Sequence, residues 1–417
     1  MTGVAMASKL TPGAAPPRGF RYLVGSEGIS VAGDWVLLTA AAVTVFKETG
    51  STTAVSLMLG LAAVPTVLLG PVAGAVADRF DRRRIMLLAD MLSALVLFAC
   101  LAAVSVGLKL PAVYLAVAAV AVISTFDRPA SEALLPRLVA EGGLGRANSS
   151  VRLATRLAWI AGPAVASGLL SSGGLSLVLG VDAASFVFSG LLVLGIDPRV
   201  TMPAGDSAPQ STMRAATAGI AYVRARGRLL TVMMAIGVVS LVGPVVNAGT
   251  ITLVADELKL ADSWYGILLA VEGGGALVLA LAFLVLGTRL RLLPAGAGAL
   301  IVTGVSAILL GVAPNLLTAC LAMALQGAGV VGLQVGFASY LQREAEDAFR
   351  GRVMSLVSVV ASFAALVGFA GAGPLVEVIG VRAAFGLVGS VIILASVPVV
   401  TLAWRVARAG RAARLVA

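Results

Sequence analysis

Long apolar runs, each close to twenty residues and separated by short polar breaks, follow one another from residue 21 to residue 403. A helix of about 20 apolar residues crosses the hydrocarbon core of a bilayer. Lipid offers the backbone no hydrogen-bonding partner, so only helices and closed barrels span it, and runs this long exceed a barrel strand. Hydrophobic residues make up 59% of the 417 residues and charged residues 12%. A water-soluble domain could not cover its core with so little polar surface. The fold class that follows is an all-α membrane protein, with the lipid bilayer as its first partner.

Twelve spans are predicted, at 21–46, 52–77, 85–107, 111–126, 151–170, 175–196, 229–254, 264–286, 292–313, 316–340, 353–375 and 383–403. Residues 1–19, rich in Pro and Ala, lack the apolar core and cleavage site of a signal peptide, so the first run reads as a retained helix behind a cytoplasmic tail. The one substantial hydrophilic break, 197–228, carries Pro198, Pro203 and Pro209 and then a helically spaced basic segment. It reads as a cytoplasmic linker ending in an interfacial amphipathic helix. It divides a six-helix bundle over 20–196 from a second over 229–404, and a basic tail follows at 405–417. Gly162-Pro163 recurs as Gly373-Pro374, 211 residues later, a weak internal symmetry of the kind left by repeated halves.

The formal charge of +10 does not gather into a patch, which argues against a nucleic-acid partner. Of the 30 basic residues, only Lys47, Lys109, Lys259 and Arg382 fall in the alternate set of loops. The positive-inside rule then places both termini and the linker in the cytoplasm and the chain in a bacterial-type inner membrane. Cys100 and Cys320 lie within apolar runs and read as small hydrophobes. There is no His, no Cys pair and no phosphate-binding G-x-x-x-x-G-K-[ST] run. An enzyme is therefore disfavoured, no metal or cofactor is expected, and the oligomeric state is read as monomeric.

The short loop after the second span reads Gly74-Ala-Val-Ala-Asp78-Arg79-Phe-Asp81-Arg82-Arg83-Arg84. It sets an acid at a helix end beside several guanidinium groups, which either anchor the orientation of the chain or clamp carboxylates and helix carbonyls. Here the sequence resembles the major facilitator superfamily, whose signature at this place is G-x-x-x-D-R-x-x-R-R. Gly74, Asp78, Arg79, Arg82 and Arg83 stand at its positions, and Asp81 occupies a place that is often Gly. The resemblance implies two pseudo-symmetric six-helix bundles that work by alternating access, and it makes this loop part of a cytoplasmic gate.

Two further stretches are similar to the bacterial exporter branch that includes enterobactin exporters and macrolide efflux proteins. One runs from Phe126 through Asp127, Arg128, Pro129 and Pro136 to Arg137; the other contains Arg350, Gly351 and Arg352. Both read as cytoplasmic elbows in which the prolines stop the helix, serving either as loop caps or, with Asp127, Arg128, Arg350 and Arg352, as gate partners. Gly162-Pro163 with Gly168 is similar to the helix-packing motif of the family's antiporters, where small residues allow close approach and Pro kinks the helix. The fourth span lacks the arginine that many drug/proton antiporters carry, and Arg152 and Arg156 stand nearby as substitutes. The resemblance implies a secondary active transporter that exports a small, amphipathic solute by proton antiport. An uptake symporter or facilitator of the same fold is the alternative, and a non-transporting sensor or lipid-handling protein is the alternative from another class.

Ionisable groups at membrane depth are costly, about 2.5–3.5 kcal/mol for Asp at a helix centre, and mark function or a partner. Asp34 lies midway along the first span, with Glu27 seven residues earlier on the same face; Asp182 and Glu272 lie midway along the sixth and eighth. These four are the proton-coupling candidates, and the transmembrane proton gradient is the expected energy source. With no His in the chain, carboxylates must carry any such coupling. Asp90, near the start of the third span, is expected to pair with the arginines around it. Gly243-Pro244 with Asn247 is expected to break the seventh helix. Trp35, Trp159, Asn247, Gln326 and Gln334 are candidate liners of the substrate cavity.

Overall fold

A computed structural model describes residues 17–140, 143–198, 219–286 and 292–416, and among them every regular element is helical. The helices are α1 (Arg18–Thr49), α2 (Thr52–Arg79), α3 (Arg82–Ser105) and α4 (Lys109–Leu138), followed by one continuous run, Leu144–Leu194. That run is broken at Gly174, whose φ of 65° no L side chain adopts easily, into α5 (144–173) and α6 (175–194). The second set is α7 (Gly227–Thr252), α8 (Ser263–Leu286), α9 (Leu292–Gly311), α10 (Leu316–Glu344), α11 (Asp347–Ile379) and α12 (Val381–Val416). A wide π-turn, Leu253–Glu257, extends α7. The helices reproduce the predicted spans, and α12 carries the basic 405–416 stretch as a continuation of itself. Most of the linker, 199–218, lies outside the described residues.

The prolines behave differently from the sequence expectation. Pro129 and Pro136 sit inside α4, Pro163 inside α5 and Pro244 inside α7, and none ends its helix. Each removes a single backbone bond, a loss that a helix held by its neighbours in lipid tolerates. Positive-φ glycines instead stand at or just beyond the ends of four helices: Gly50 after α1, Gly107 after α3, Gly174 after α5 and Gly380 after α11. Starts are set by side chains: Asp81 caps α3 through the Arg83 and Arg84 amides, and Asn315 caps α10 through the Thr318 amide.

Two compact units form. The first comprises residues 1–48 and 61–206, the second 49–60 and 207–417. The first turns of α2 thus cluster with the second unit. In the first unit, Phe20, Leu23, Met86, Leu134 and Ile196 form one buried cluster, and Val36, Ala40, Ala166 and Val178 form another. In the second unit, α9 packs on α10 and α12, and α7 on α11 and α12. Lipid tails are as apolar as Leu, so these contacts rest on close backbone approach. A Cβ on Gly327 would stand 1.8 Å from the Glu272 carbonyl, and one on Gly275 would stand 2.0 Å from the Ala324 carbonyl. Reciprocal glycines therefore bring α8 and α10 backbone to backbone.

Alanine in place of glycine favours a helix by up to about 1 kcal/mol, so this seam reverses the usual sign. Gly327→Ala is expected to destabilise the protein by about 1–3 kcal/mol through overpacking, read as a lower melting temperature in detergent. Gly298→Ala, where a Cβ meets open space, is the control and is expected to leave the melting temperature unchanged or raise it.

Candidate functional site

Five carboxyl groups gather inside the first unit: Glu27 and Asp34 on α1, Asp90 on α3, Asp127 on α4 and Asp182 on α6. Close packing of α1 on α6 brings two of them together. A Cβ on Gly33 would lie 2.3 Å from Asp182 Oδ1 and 2.8 Å from Ser185 Oγ, so only glycine leaves room for the Asp182 side chain beside Asp34. Asp182 is 1% exposed. Its Oδ1 accepts from Ser185 Oγ at 3.3 Å, while its Oδ2 and Asp34 Oδ1 are buried without a hydrogen-bond partner. Two acceptor oxygens left bare in this way are an exception to the rule that buried polar atoms are bonded.

Two of the three remaining acids are held by serines. Asp90, 3% exposed, accepts from Ser189 Oγ at 2.9 Å, and Glu27 is bonded to Ser131. Asp90 thus takes a neutral hydroxyl where the sequence pointed to arginine. The groups sense one another: Asp34 lies in the field of Asp182, Glu27 and Asp90, and Asp127 in that of Glu27, Asp90 and Asp34. The attractive charge acting on Asp34 and Glu27 is Arg128, whose own side chain is largely exposed and 3.9 Å from Glu132 one turn away. Sequence reasoning assigned Asp127 and Arg128 to the gate and missed this company. The spacing Asp182, Ser185, Ser189 on one face of α6 was the available signal for the hydroxyl partners.

An aromatic pair adjoins Asp34 along α1. The Trp35 and Trp159 rings stack with centroids 5.8 Å apart, and the Arg156 guanidinium lies 5.0 Å over Trp159, a cation–π contact. Gly162 makes the approach possible, since its Cβ would lie 2.5 Å from Trp35 Cβ and 3.0 Å from the Ala32 carbonyl. Gly168, by contrast, faces open space. The close-packing role expected of this motif therefore rests on Gly162.

In the arginine loop each residue has a distinct task. Asp81 Oδ1 accepts from the Arg83 amide at 2.9 Å, which explains an acid where glycine is common in the signature. Arg83 donates to the carbonyls of Val193 at 3.2 Å and Leu194 at 2.7 Å, closing the end of α6. Arg82 is buried, with Nε and Nη1 unbonded, and lies in the field of Asp78. Asp78 and Arg79 are exposed, and Gly74 has open space around it.

In the second unit the predicted residues are scattered. Glu272 lies on the α8 face whose carbonyl meets Gly327, and Gln326 is 5% exposed and bonded to Ser306 between α9 and α10. Gln334 is exposed on α10. Asn247 Nδ2 donates to the Gly243 carbonyl at 3.3 Å, within an unbroken α7. Arg350 pairs with Asp347 and donates to the Gln342 carbonyl at 2.8 Å. Arg352 lies over the Phe349 ring. That ring stacks on Tyr222 at 4.1 Å, with Arg226 over the far face. Tyr222 also accepts from the Glu346 amide at 2.9 Å, and Arg226 and Arg228 pair with Glu346 and Glu344. The described end of the linker, helical over 219–224, thus docks on the end of α10 and the start of α11.

Twelve apolar helices among the described residues, in two units, with a buried carboxyl cluster and an arginine loop after the second helix, are the features of a membrane transporter of the major facilitator type. The family model for transmembrane secretion effectors of this superfamily matches residues 10–414, and the chain belongs to that family. It is 27% identical to the multidrug efflux pump Tap of Mycobacterium tuberculosis, over 86% of this chain and 87% of the relative. It is 23% identical to macrolide efflux protein A of Streptococcus pyogenes, over 90% and 93%. A solved structure of a POT peptide transporter in complex with sulfate superposes with a TM-score of 0.74 over 94% of this chain and 95% of that one, at 14% identity, a likeness of fold. The family and these relatives are transporters, not enzymes.

The cap of α3 is open to a simple check. Asp81→Ala is expected to cost about 1 kcal/mol, lowering the melting temperature in detergent, with Asp81→Asn retaining most of it. Equal melting of Asp81→Ala and the parent protein would remove Asp81 from the fold of the loop.

Proposed function

We propose that the chain is a secondary active exporter of a small amphipathic solute, working by alternating access and driven by proton antiport across a bacterial inner membrane, with both termini cytoplasmic. The observation that carries the coupling is the pair of buried, unbonded carboxyl oxygens on Asp34 and Asp182. Five acids in a low-dielectric interior, with Arg128 as the attractive charge on two of them, repel one another and favour uptake of a neutralising proton. Access to water from one side and then the other would let Asp34 release that proton and regain it. Asp182 would share it, while Glu27, Asp90 and Asp127 extend the path along α1, α3 and α4. Glu272 is a further proton site in the second unit.

The export direction is supported by relatives named as efflux pumps, and a small-molecule substrate by the same names. The stacked Trp35 and Trp159, with Asn247 and Gln334, are proposed to contact the apolar and polar parts of the solute. Gly74, Asp78, Arg79, Arg82 and Arg83, with Asp127, Arg128, Arg350 and Arg352, are proposed as the gate on the cytoplasmic side. The proton gradient is the energy source, with no cofactor, and the working unit is a monomer.

Everted membrane vesicles test this reading with a labelled macrolide as probe. The parent protein is expected to accumulate the macrolide in energised vesicles and to release protons as it does so. Asp34→Asn is expected to lower uphill accumulation at least ten-fold and to abolish proton release. Accumulation that survives collapse of the proton gradient, or that is unchanged by Asp34→Asn, would contradict it.

A further inference from the structure

An aromatic side chain of the linker supplies what the start of α11 lacks. Glu346 stands at the N-cap of α11, and its own side chain makes no capping bond. Amides at the start of a helix have no partner within it. Tyr222, 6% exposed, meets this need from outside, its hydroxyl accepting from the Glu346 amide at 2.9 Å. The Tyr222 ring lies almost parallel to that of Phe349, with 11° between the planes and 4.1 Å between the centroids. The Arg226 guanidinium lies 3.6 Å over Tyr222 and that of Arg352 5.2 Å over Phe349, both cation–π contacts.

Arg352 is the residue on which these contacts converge. The linker reaches it a second time through its backbone: a Cβ on Gly219 would lie 3.3 Å from Arg352 Cβ and 3.6 Å from its carbonyl oxygen. The nearby acids are meanwhile occupied. Glu346 pairs with Arg226, Glu344 with Arg228 and Asp347 with Arg350, and no carboxylate among the described residues pairs with Arg352. A guanidinium on a flexible stem, without an ion pair, takes its direction from what packs against it. Arg352 is packed by Phe349 and Gly219, and Phe349 by Tyr222.

Tyr222 therefore acts in two chemically separable ways: its hydroxyl serves the start of α11, and its ring serves Phe349 and, beyond it, Arg352. We propose that Tyr222 is a positioning residue for the cytoplasmic gate, and that the docked end of the linker, acting through the Phe349 ring, holds the Arg352 guanidinium where the gate requires it. Without the Tyr222 ring, Phe349 loses its stacking partner and Arg226 its aromatic face. Glu346 is then released from Arg226 and can draw Arg352 away. The proposal rests on the reading of Arg352 as a gate residue, but not on export, on the proton or on the identity of the solute.

Spin-label distances test it without any solute. Ser149 on α5 and Gln342 on α10 are exposed, and each is replaced by Cys and labelled in the full chain, in lipid nanodiscs, after Cys100→Ser and Cys320→Ser. Tyr222→Leu and Arg352→Gln are each expected to raise the share of the longer distance at least five-fold. The double variant is expected to raise it no further than Arg352→Gln alone, because one residue acts through the other. Tyr222→Phe keeps the ring, and is expected to leave the distances as in the parent while lowering the melting temperature through the lost cap. Parental distances in Tyr222→Leu, with only its melting temperature lowered, would make Tyr222 merely structural and overturn the proposal. Effects of Tyr222→Leu and Arg352→Gln that multiply in the double variant would overturn it as well. Distances unchanged by Arg352→Gln would instead remove Arg352 from the gate, and with it the reading on which the proposal stands.

Discussion

Everything in this molecule follows from the absence of water around its backbone. In lipid a backbone amide must find its carbonyl within its own segment, so each of the predicted apolar runs becomes a helix. The same scarcity explains why prolines at 129, 136, 163 and 244 do not end their helices: unwinding would expose several groups to hydrocarbon in place of one. It also makes close packing depend on glycine. Gly275 with Gly327, Gly33 of α1 against α6, and Gly162 of α5 against α1 set which backbones touch and thereby where side chains such as Asp182 and Trp35 must lie.

The fold was legible because hydropathy and length are global signals. The spans could be read directly, and the arginine loop gave the superfamily from a few residues. What escaped was pairwise. Asp81 looked like a departure from a motif and is a helix cap, since capping depends on the backbone angles at that residue. Asp90 stood near arginines in sequence yet bonds Ser189 on a different helix, a partner set by packing. Asp127, expected at the gate with Arg128, lies in the field of acids on α1 and α3, a neighbourhood set by packing and not by chain order. Residues 49–60 cluster with the second unit, through contacts such as that of the Thr53 amide with Glu377, which chain order does not show.

The candidate site shows the same pattern. Asp34 and Asp182 could be singled out one at a time, because a charge in an apolar run is conspicuous. Their juxtaposition could not, since it depends on Gly33 standing opposite Asp182. Carboxyl groups set among themselves, with few cations and two bare oxygens, are poorly suited to holding a helix in place and well suited to exchanging a proton. Trp35, one residue further along α1, stacks on Trp159 of α5.

The central claim is that Asp34 and Asp182 hold a proton that the protein can give up. Difference infrared spectroscopy of the full chain in nanodiscs, taken across a pH titration, observes the protonated carboxyl directly through its C=O stretch. The account predicts a band from a carboxylic acid in an apolar setting that vanishes as pH rises and is lost in the Asp34→Asn, Asp182→Asn double variant. A titrating band of the same size in the parent and the double variant would place the exchangeable proton elsewhere and contradict the account.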